Sequence, residues 1–147
     1  MNSDPRFARV RVRQAWPALA ELGLSAGRVA AAARHLARAR DALEDSTLKF
    51  LDEACRFEAE RIVVDASYFA IAPAEVGLRA LAQILSQMSG ETYRPRFERL
   101  ERLFVEIRDG ELKSARTLHG CRIGRAPKAA GARFLVVTRE KGRAHRP

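Results

Sequence analysis

The longest pattern in this chain is a seam. Val29, Ala33, Leu36, Arg40, Leu43, Thr47, Phe50, Ala54 and Phe57 step alternately by four and three residues. That spacing, a mean period of 3.5, predicts one continuous helix. Ser25 is placed to cap its start, and Leu48 and Leu51 widen the stripe near its end. The helix should run about 30 residues, or roughly 45 Å at 1.5 Å per residue. A sustained heptad suits a dimeric coiled coil, but Arg40 and Thr47 interrupt the seam, which favours packing against the chain's own later helices. Leu36, Leu43 and Phe50 are the expected contact positions. Ahead of this helix, Asp4 to Arg13 predicts a shorter one, with Asp4 as cap and Pro5 in the first helical position. Pro17 should interrupt it, because a proline lacks the helical donor and its ring clashes with the preceding turn. Trp16, Leu19 and Leu22 continue the apolar side until Gly23.

The period then changes. Arg61-Ile62-Val63-Val64-Asp65 is a short β-branched run that predicts a strand, followed by a helical turn over Ala66 to Ala72. Pro73 opens a helix with Leu78, Leu81, Leu85 and Met88 on one side, and Gly90 closes it. Pro95 starts another, with Phe97, Leu100, Leu103, Phe104 and Ile107 as its stripe and Asp109-Gly110 as its stop. Arg116 to Ile123 and Arg133 to Thr138 then predict two strands joined by the Gly/Pro/Ala-rich loop Gly124 to Gly131. The fold class that follows is α+β: a mainly helical N-terminal lobe with a long helix, then a small helix-plus-β-hairpin lobe. The expected division is 1–58 for the helical lobe, 59–139 for the α+β lobe and 140–147 for a disordered basic tail without apolar anchors.

Charge sharpens this picture. The chain carries a formal net charge of +9 over 147 residues, with 47% hydrophobic and 31% charged residues, the composition of a globular protein. From Leu112 onward there are ten Lys or Arg and one acid, Glu140, so the entire excess lies in the last quarter. Confined in this way, it favours a polyanionic partner, nucleic acid above all. No apolar run approaches the ~20 residues of a membrane helix. The N-terminus lacks the apolar core of a secretory signal, so a cytoplasmic location is expected. Cys55 and Cys121 are too few for a disulfide framework and fit no metal-ligand spacing.

Catalytic signatures are missing. The sequence holds no Gly-rich phosphate loop, HExxH or GxSxG motif. His35, His119 and His145 are far apart, and the His119/Cys121 pair has no acid to orient it. The residues by themselves describe a basic α+β binding module.

Three stretches add a resemblance. Asp4-Pro5-Arg6-Phe7-Ala8-Arg9-Val10-Arg11-Val12-Arg13 with Pro17-Ala18-Leu19 and Gly23-Leu24 is the first. Leu78-Arg79-Ala80-Leu81 with Tyr93-Arg94-Pro95-Arg96 and Leu100-Glu101-Arg102-Leu103 is the second. Arg116-Thr117-Leu118-His119-Gly120-Cys121-Arg122-Ile123 with Val137-Thr138-Arg139-Glu140 is the third. In this order and spacing they resemble the C-terminal, non-catalytic portion of alphaproteobacterial tRNA(Ile)-lysidine synthetases. That family attaches lysine to the wobble cytidine of an isoleucine tRNA, adenylating the base with ATP and then displacing AMP.

The resemblance implies a tRNA-recognising role, with tRNA and an upstream catalytic domain as partners. It also implies that ATP and Mg belong to that catalytic domain, because the family's SGGxDS phosphate loop does not occur in this chain. No cofactor is expected in this portion, and no catalysis by it alone. The Met1 start suggests a truncated chain or a split reading frame. His119 stands where the family usually has a small residue, often Gly. The residues carried over as RNA contacts are Arg6, Arg9, Arg11 and Arg13 at the junction, Arg94 and Arg96 at the helix entry, and Arg116 and Arg122 in the hairpin. Charge alone adds Lys141, Arg143 and Arg146 of the tail. A free-standing RNA-binding module and a helix-mediated interaction or dimerisation module are the alternatives.

Overall fold

The computed structural model describes residues 8–127, 131 and 133–140. Its elements are α1 (Ala8–Glu21), α2 (Ala26–Ala54), β1 (Cys55–Phe57), β2 (Arg61–Asp65), α3 (Ser67–Ile71), α4 (Ala74–Ser89), α5 (Phe97–Arg108), β3 (Arg116–Leu118), β4 (Cys121–Arg125) and β5 (Phe134–Arg139). The chain is α+β, as its periodicities predict. Its backbone divides into two compact units, Met1–Ala42 and Leu43–Pro147, with the division falling inside α2. No helix of the described residues is long and apolar enough to cross a membrane.

In the first unit, α1 runs through Pro17 instead of stopping there. Pro17 is exposed, so water can take the carbonyl its ring leaves unpaired, and the expected interruption does not occur. Gly23, at φ 81°, ends the helix; its N–H donates to the Ala20 carbonyl at 2.9 Å. The expected cap Asp4 and helix start Pro5 lie outside the described residues. Ser25 does cap α2: its Oγ accepts the Arg28 N–H at 3.3 Å. No residue of α1 is buried, and in α2 burial begins only at Thr47.

The second unit is built on a five-stranded antiparallel sheet in the order β1-β2-β5-β4-β3. Paired residues in antiparallel strands share a face. Ile62 with Val137, Val64 with Leu135, and Ile123 with Val137 therefore point one way, and all are buried. They join Phe50, Leu51 and Ala54 of α2, Phe69 of α3, Ala80, Leu81, Ile84 and Leu85 of α4, and Leu100, Leu103, Phe104 and Ile107 of α5 in one core. Gly77 sets how closely α4 meets α5, since a Cβ there would stand 2.5 Å from Phe104 Cε2. Thr47, fully buried, keeps its hydroxyl satisfied by donating to the Leu43 carbonyl at 2.7 Å. Gly90 and Gly110 stop α4 and α5 with φ of 76° and 72°, as their positions predict.

Four further expectations need correction. The strand expected over Arg116 to Ile123 is two strands, β3 and β4, separated by His119 and Gly120 at φ 55° and 70°. Two consecutive positive-φ residues make the tight turn whose twist matches a hairpin. Phe57, placed at the end of the helical seam, belongs to β1 and is 44% exposed. Val29 and Leu36 of the seam are 43% and 72% exposed, so the intramolecular packing begins only at the half-buried Leu43. Phe97, expected in the α5 stripe, is also exposed, because it is the first residue of that helix and precedes the turns that meet the core.

Candidate nucleic-acid interface

The sheet face turned away from the core is where the candidate chemistry collects. Arg61, Thr138, Arg122 and Thr117 pair in sequence across β2, β5, β4 and β3 and form one row. Arg56, Val63, Val136 and Gly124 form the row beside it. Adjacent strands lie about 4.8 Å apart, so Arg61 and Arg122 are spaced by roughly 10 Å. None of Val63, Val136 and Phe134 belongs to the core cluster. This face therefore presents β-branched and hydroxyl side chains with guanidinium groups among them.

Its charges are not equal. Arg61 is engaged by Glu58 at 2.6 Å. Arg133 pairs with Asp65 at 3.1 Å and lies over the Phe134 ring at 5.0 Å. Arg56 and Arg122 are exposed and have no carboxylate partner among the described residues. A chain that leaves such groups in water keeps them available to an anion.

The residues expected as RNA contacts separate on this geometry. Arg122 sits on the open face. Arg116, paired with Ile123, points to the helix side, where its Nε lies 3.0 Å from Glu106 Oε2 and its Nη1 donates to Ser114 Oγ at 2.7 Å. The Glu106 contact is one of charge, since that oxygen accepts no directed hydrogen bond. Arg94 and Arg96 are exposed in the connection from α4 to α5. Arg9, Arg11 and Arg13 lie exposed on α1, in the other unit. Arg6, Lys141, Arg143 and Arg146 lie outside the described residues. Arg56 and Arg61 were missed by sequence reasoning; alternation in β2 was the available signal for Arg61, but Arg56 is visible only once β1 is seen to be a strand.

One corner of the unit joins two of the motifs that carried the resemblance. The ring of Tyr93 meets that of His119 edge-on, with centroids 4.9 Å apart and planes at 83°. The Gly120 carbonyl accepts the Glu140 N–H at 2.8 Å, and Arg139 Nε donates to the Met88 carbonyl at 3.3 Å. The Tyr-Arg-Pro-Arg segment, the hairpin turn and the end of β5 thus form one structure.

Burial pushes the Cys55 thiol up to about 12 and the Cys121 thiol to about 11, and Cys121 Sγ donates to the Leu85 carbonyl at 3.3 Å. Neither is a nucleophile near neutral pH. Among the described residues no group of three His, Cys, Asp or Glu side chains could hold a metal ion. An open concavity of about 390 Å³ includes Arg108, Arg125 and Arg133 over Ile107, Leu112 and Leu135. All three guanidinium groups are committed, to Asp109, to the Leu112 and Gly110 carbonyls, and to Asp65.

The fold and its surface define an α+β unit with a one-sided antiparallel sheet whose outer face carries arginine. No protein-family model and no solved structure matches the chain. Curated relatives do. It is 41% identical over 103 residues to the tRNA(Ile)-lysidine synthase of Methylobacterium nodulans, covering 68% of this chain and 30% of that protein. The synthase of Ruegeria pomeroyi is 34% identical over 95 residues, 65% of this chain and 23% of the relative. That of Anaplasma marginale is 26% identical over 127 residues, 86% and 27%. The chain belongs with the tRNA(Ile)-lysidine synthases and matches a C-terminal part of them, between 23% and 30% of their length.

Proposed function

We propose that this chain is a tRNA-recognising portion of a tRNA(Ile)-lysidine synthase and does not itself form lysidine. The observation that carries the reading is the open sheet face, where Arg56 and Arg122 stand exposed and unpaired among the described residues, in a chain whose curated relatives are tRNA(Ile)-lysidine synthases. Guanidinium groups at fixed spacing on a sheet suit phosphates, which position an RNA without reading its bases. The ten cations from Leu112 onward add to the same field. In this reading ATP and magnesium are held by the part of the enzyme that this chain does not cover, and the setting is the cytoplasm.

A salt titration of tRNA binding tests it, with duplex DNA as control. Engagement of about five phosphates gives a slope of log K against log salt of roughly −3.5 to −4.5. Replacing Arg56 and Arg122 by Ala should flatten that slope by up to about two units. Binding that ignores salt, or no binding at low ionic strength, would refute the reading.

The first unit supports a second role. Val12, Leu22, Leu24, Val29 and Leu36 are 56%, 79%, 43%, 43% and 72% exposed. Apolar side chains left in water on α1, on α2 and in the connection between them are suited to a protein partner, here the remainder of the same enzyme. Leu22→Asp with Leu36→Asp should abolish co-purification with that remainder and leave tRNA binding by this chain intact. Unchanged co-purification would remove this role.

A further inference from the structure

Tyr93 stands out among the aromatic residues of this unit. It is 63% exposed, yet its surroundings hold it in place. Its ring rests edge-on against His119. His119 is fixed by the two-residue turn, with φ of 55° followed by 70° at Gly120. That turn is tied to the end of β5 by the Glu140 N–H, and a Cβ at Gly120 would lie only 3.5 Å from Ser89 Cβ. On the other side of Tyr93, Pro95 is buried, and the Glu91 N–H donates to Ser89 Oγ at 3.2 Å near the end of α4. The loop is therefore anchored before and after the tyrosine. His119 Nε2 is buried without a hydrogen-bond partner among the described residues. Arg94 and Arg96 follow at once in sequence, exposed and without a carboxylate partner among the described residues. Glu91 and Glu140 are the acids of this corner, both exposed.

An anchored, exposed aromatic ring with exposed arginines next to it in sequence is a combination that unpaired nucleotides reward. The ring offers a face to any base, and the cations take the flanking phosphates. A duplex keeps its bases stacked on one another and cannot use the ring in this way. Resting on the RNA-binding reading above, we propose that Tyr93 is a stacking platform for one unpaired base of the bound RNA, with Arg94 and Arg96 engaging the adjoining phosphates. The chain thus has two contact surfaces of different kind: a sheet face that meets phosphates irrespective of pairing, and a corner that requires an unpaired nucleotide.

The test uses the whole chain and two probes at one low salt concentration: a ten-nucleotide single-stranded RNA and a blunt RNA duplex of equal length, read by fluorescence anisotropy. Tyr93→Ala should weaken the single strand by about 5-fold to about 150-fold, the measured range for one base stacked on an aromatic side chain. Duplex affinity should stay within about twofold, because phosphate contacts are untouched. Tyr93→Phe should keep single-strand affinity. Tyr93→Leu, which preserves apolar bulk against His119 but has no π-face, should lose it as Ala does; this variant separates stacking from support of the loop. If Tyr93→Ala leaves the single strand unaffected, or weakens single strand and duplex alike, the stacking role is wrong. A wild-type chain that binds duplex but no single strand also refutes it, with RNA binding intact. A wild-type chain that binds neither probe refutes both readings.

Discussion

Phe50 and Leu36 hold equivalent places in one heptad pattern, and replacing each by Ala measures where that pattern becomes a core. Phe50 is 6% exposed, and its ring packs edge-on against Phe69 at 4.9 Å and Tyr68 at 6.1 Å. Truncating a buried phenylalanine costs about 3–5 kcal/mol, through lost transfer energy and the cavity left behind. The two aromatic contacts place Phe50→Ala toward the upper half of that range. Leu36 is 72% exposed. Its removal takes little apolar surface out of contact, and the cost should stay within about 0.5 kcal/mol. Near 100 residues a domain loses at least about 4 °C of melting midpoint per kcal/mol. Phe50→Ala should therefore lower the midpoint by roughly 16–20 °C or more, and Leu36→Ala by no more than about 4 °C. Circular dichroism melts at 222 nm, checked by urea titration for an unchanged m value, give both numbers. Equal losses would show that the seam is buried along its whole length. A small loss for Phe50 would show that α2 does not contribute to the core.

Gly77→Ala forces a Cβ to within 2.5 Å of the Phe104 ring and should cost about 1–3 kcal/mol in a chemical melt; a neutral result would mean α4 and α5 part easily. The two cysteines should resist a thiol reagent at pH 8 in the folded chain and react at once in denaturant, because Cys55 is pushed up to about 12 and Cys121 to about 11. Their unfolded thiols ionise near 9 while the folded ones keep their protons. The unfolded state then binds fewer protons, so stability is full below about pH 9 and falls as pH rises toward the folded values. Cys55→Ala should reduce that alkaline slope, and an unchanged slope would assign it elsewhere. Arg116→Ala should change stability by about 1 kcal/mol or less, since the arginine of its pair with Glu106 is 45% exposed. The same variant should leave the RNA salt slope alone while Arg122→Ala flattens it; the reverse order would place the contact surface on the helix side of the sheet.

Much of this fold is written in local spacing. Ile62-Val63-Val64 form β2 because branched side chains suit a pleated surface, and Leu100, Leu103, Phe104 and Ile107 form α5 because they fall on one side of a 3.6-residue turn. Pro73, Gly90 and Gly110 mark helix ends through backbone preferences that need no distant partner. The clustering of charge from Leu112 onward and the three motifs that carry the resemblance are likewise properties of the sequence alone. Other features depend on contacts between residues far apart in the chain. Cys55-Arg56-Phe57 has no strand signal of its own; it is a strand because β2 offers a free edge. β5, last in sequence, lies between β2 and β4, an order that pairs Arg122 with Thr138 and Thr138 with Arg61 and so gathers the open face. The two-residue turn at His119 brings that ring to Tyr93 and leaves Arg116 facing Glu106. A heptad repeat states that Leu36 and Phe50 lie on one side of a helix. Only the folded chain decides that Phe50 meets Phe69 and that Leu36 meets water, because periodicity defines a face but not what packs against it.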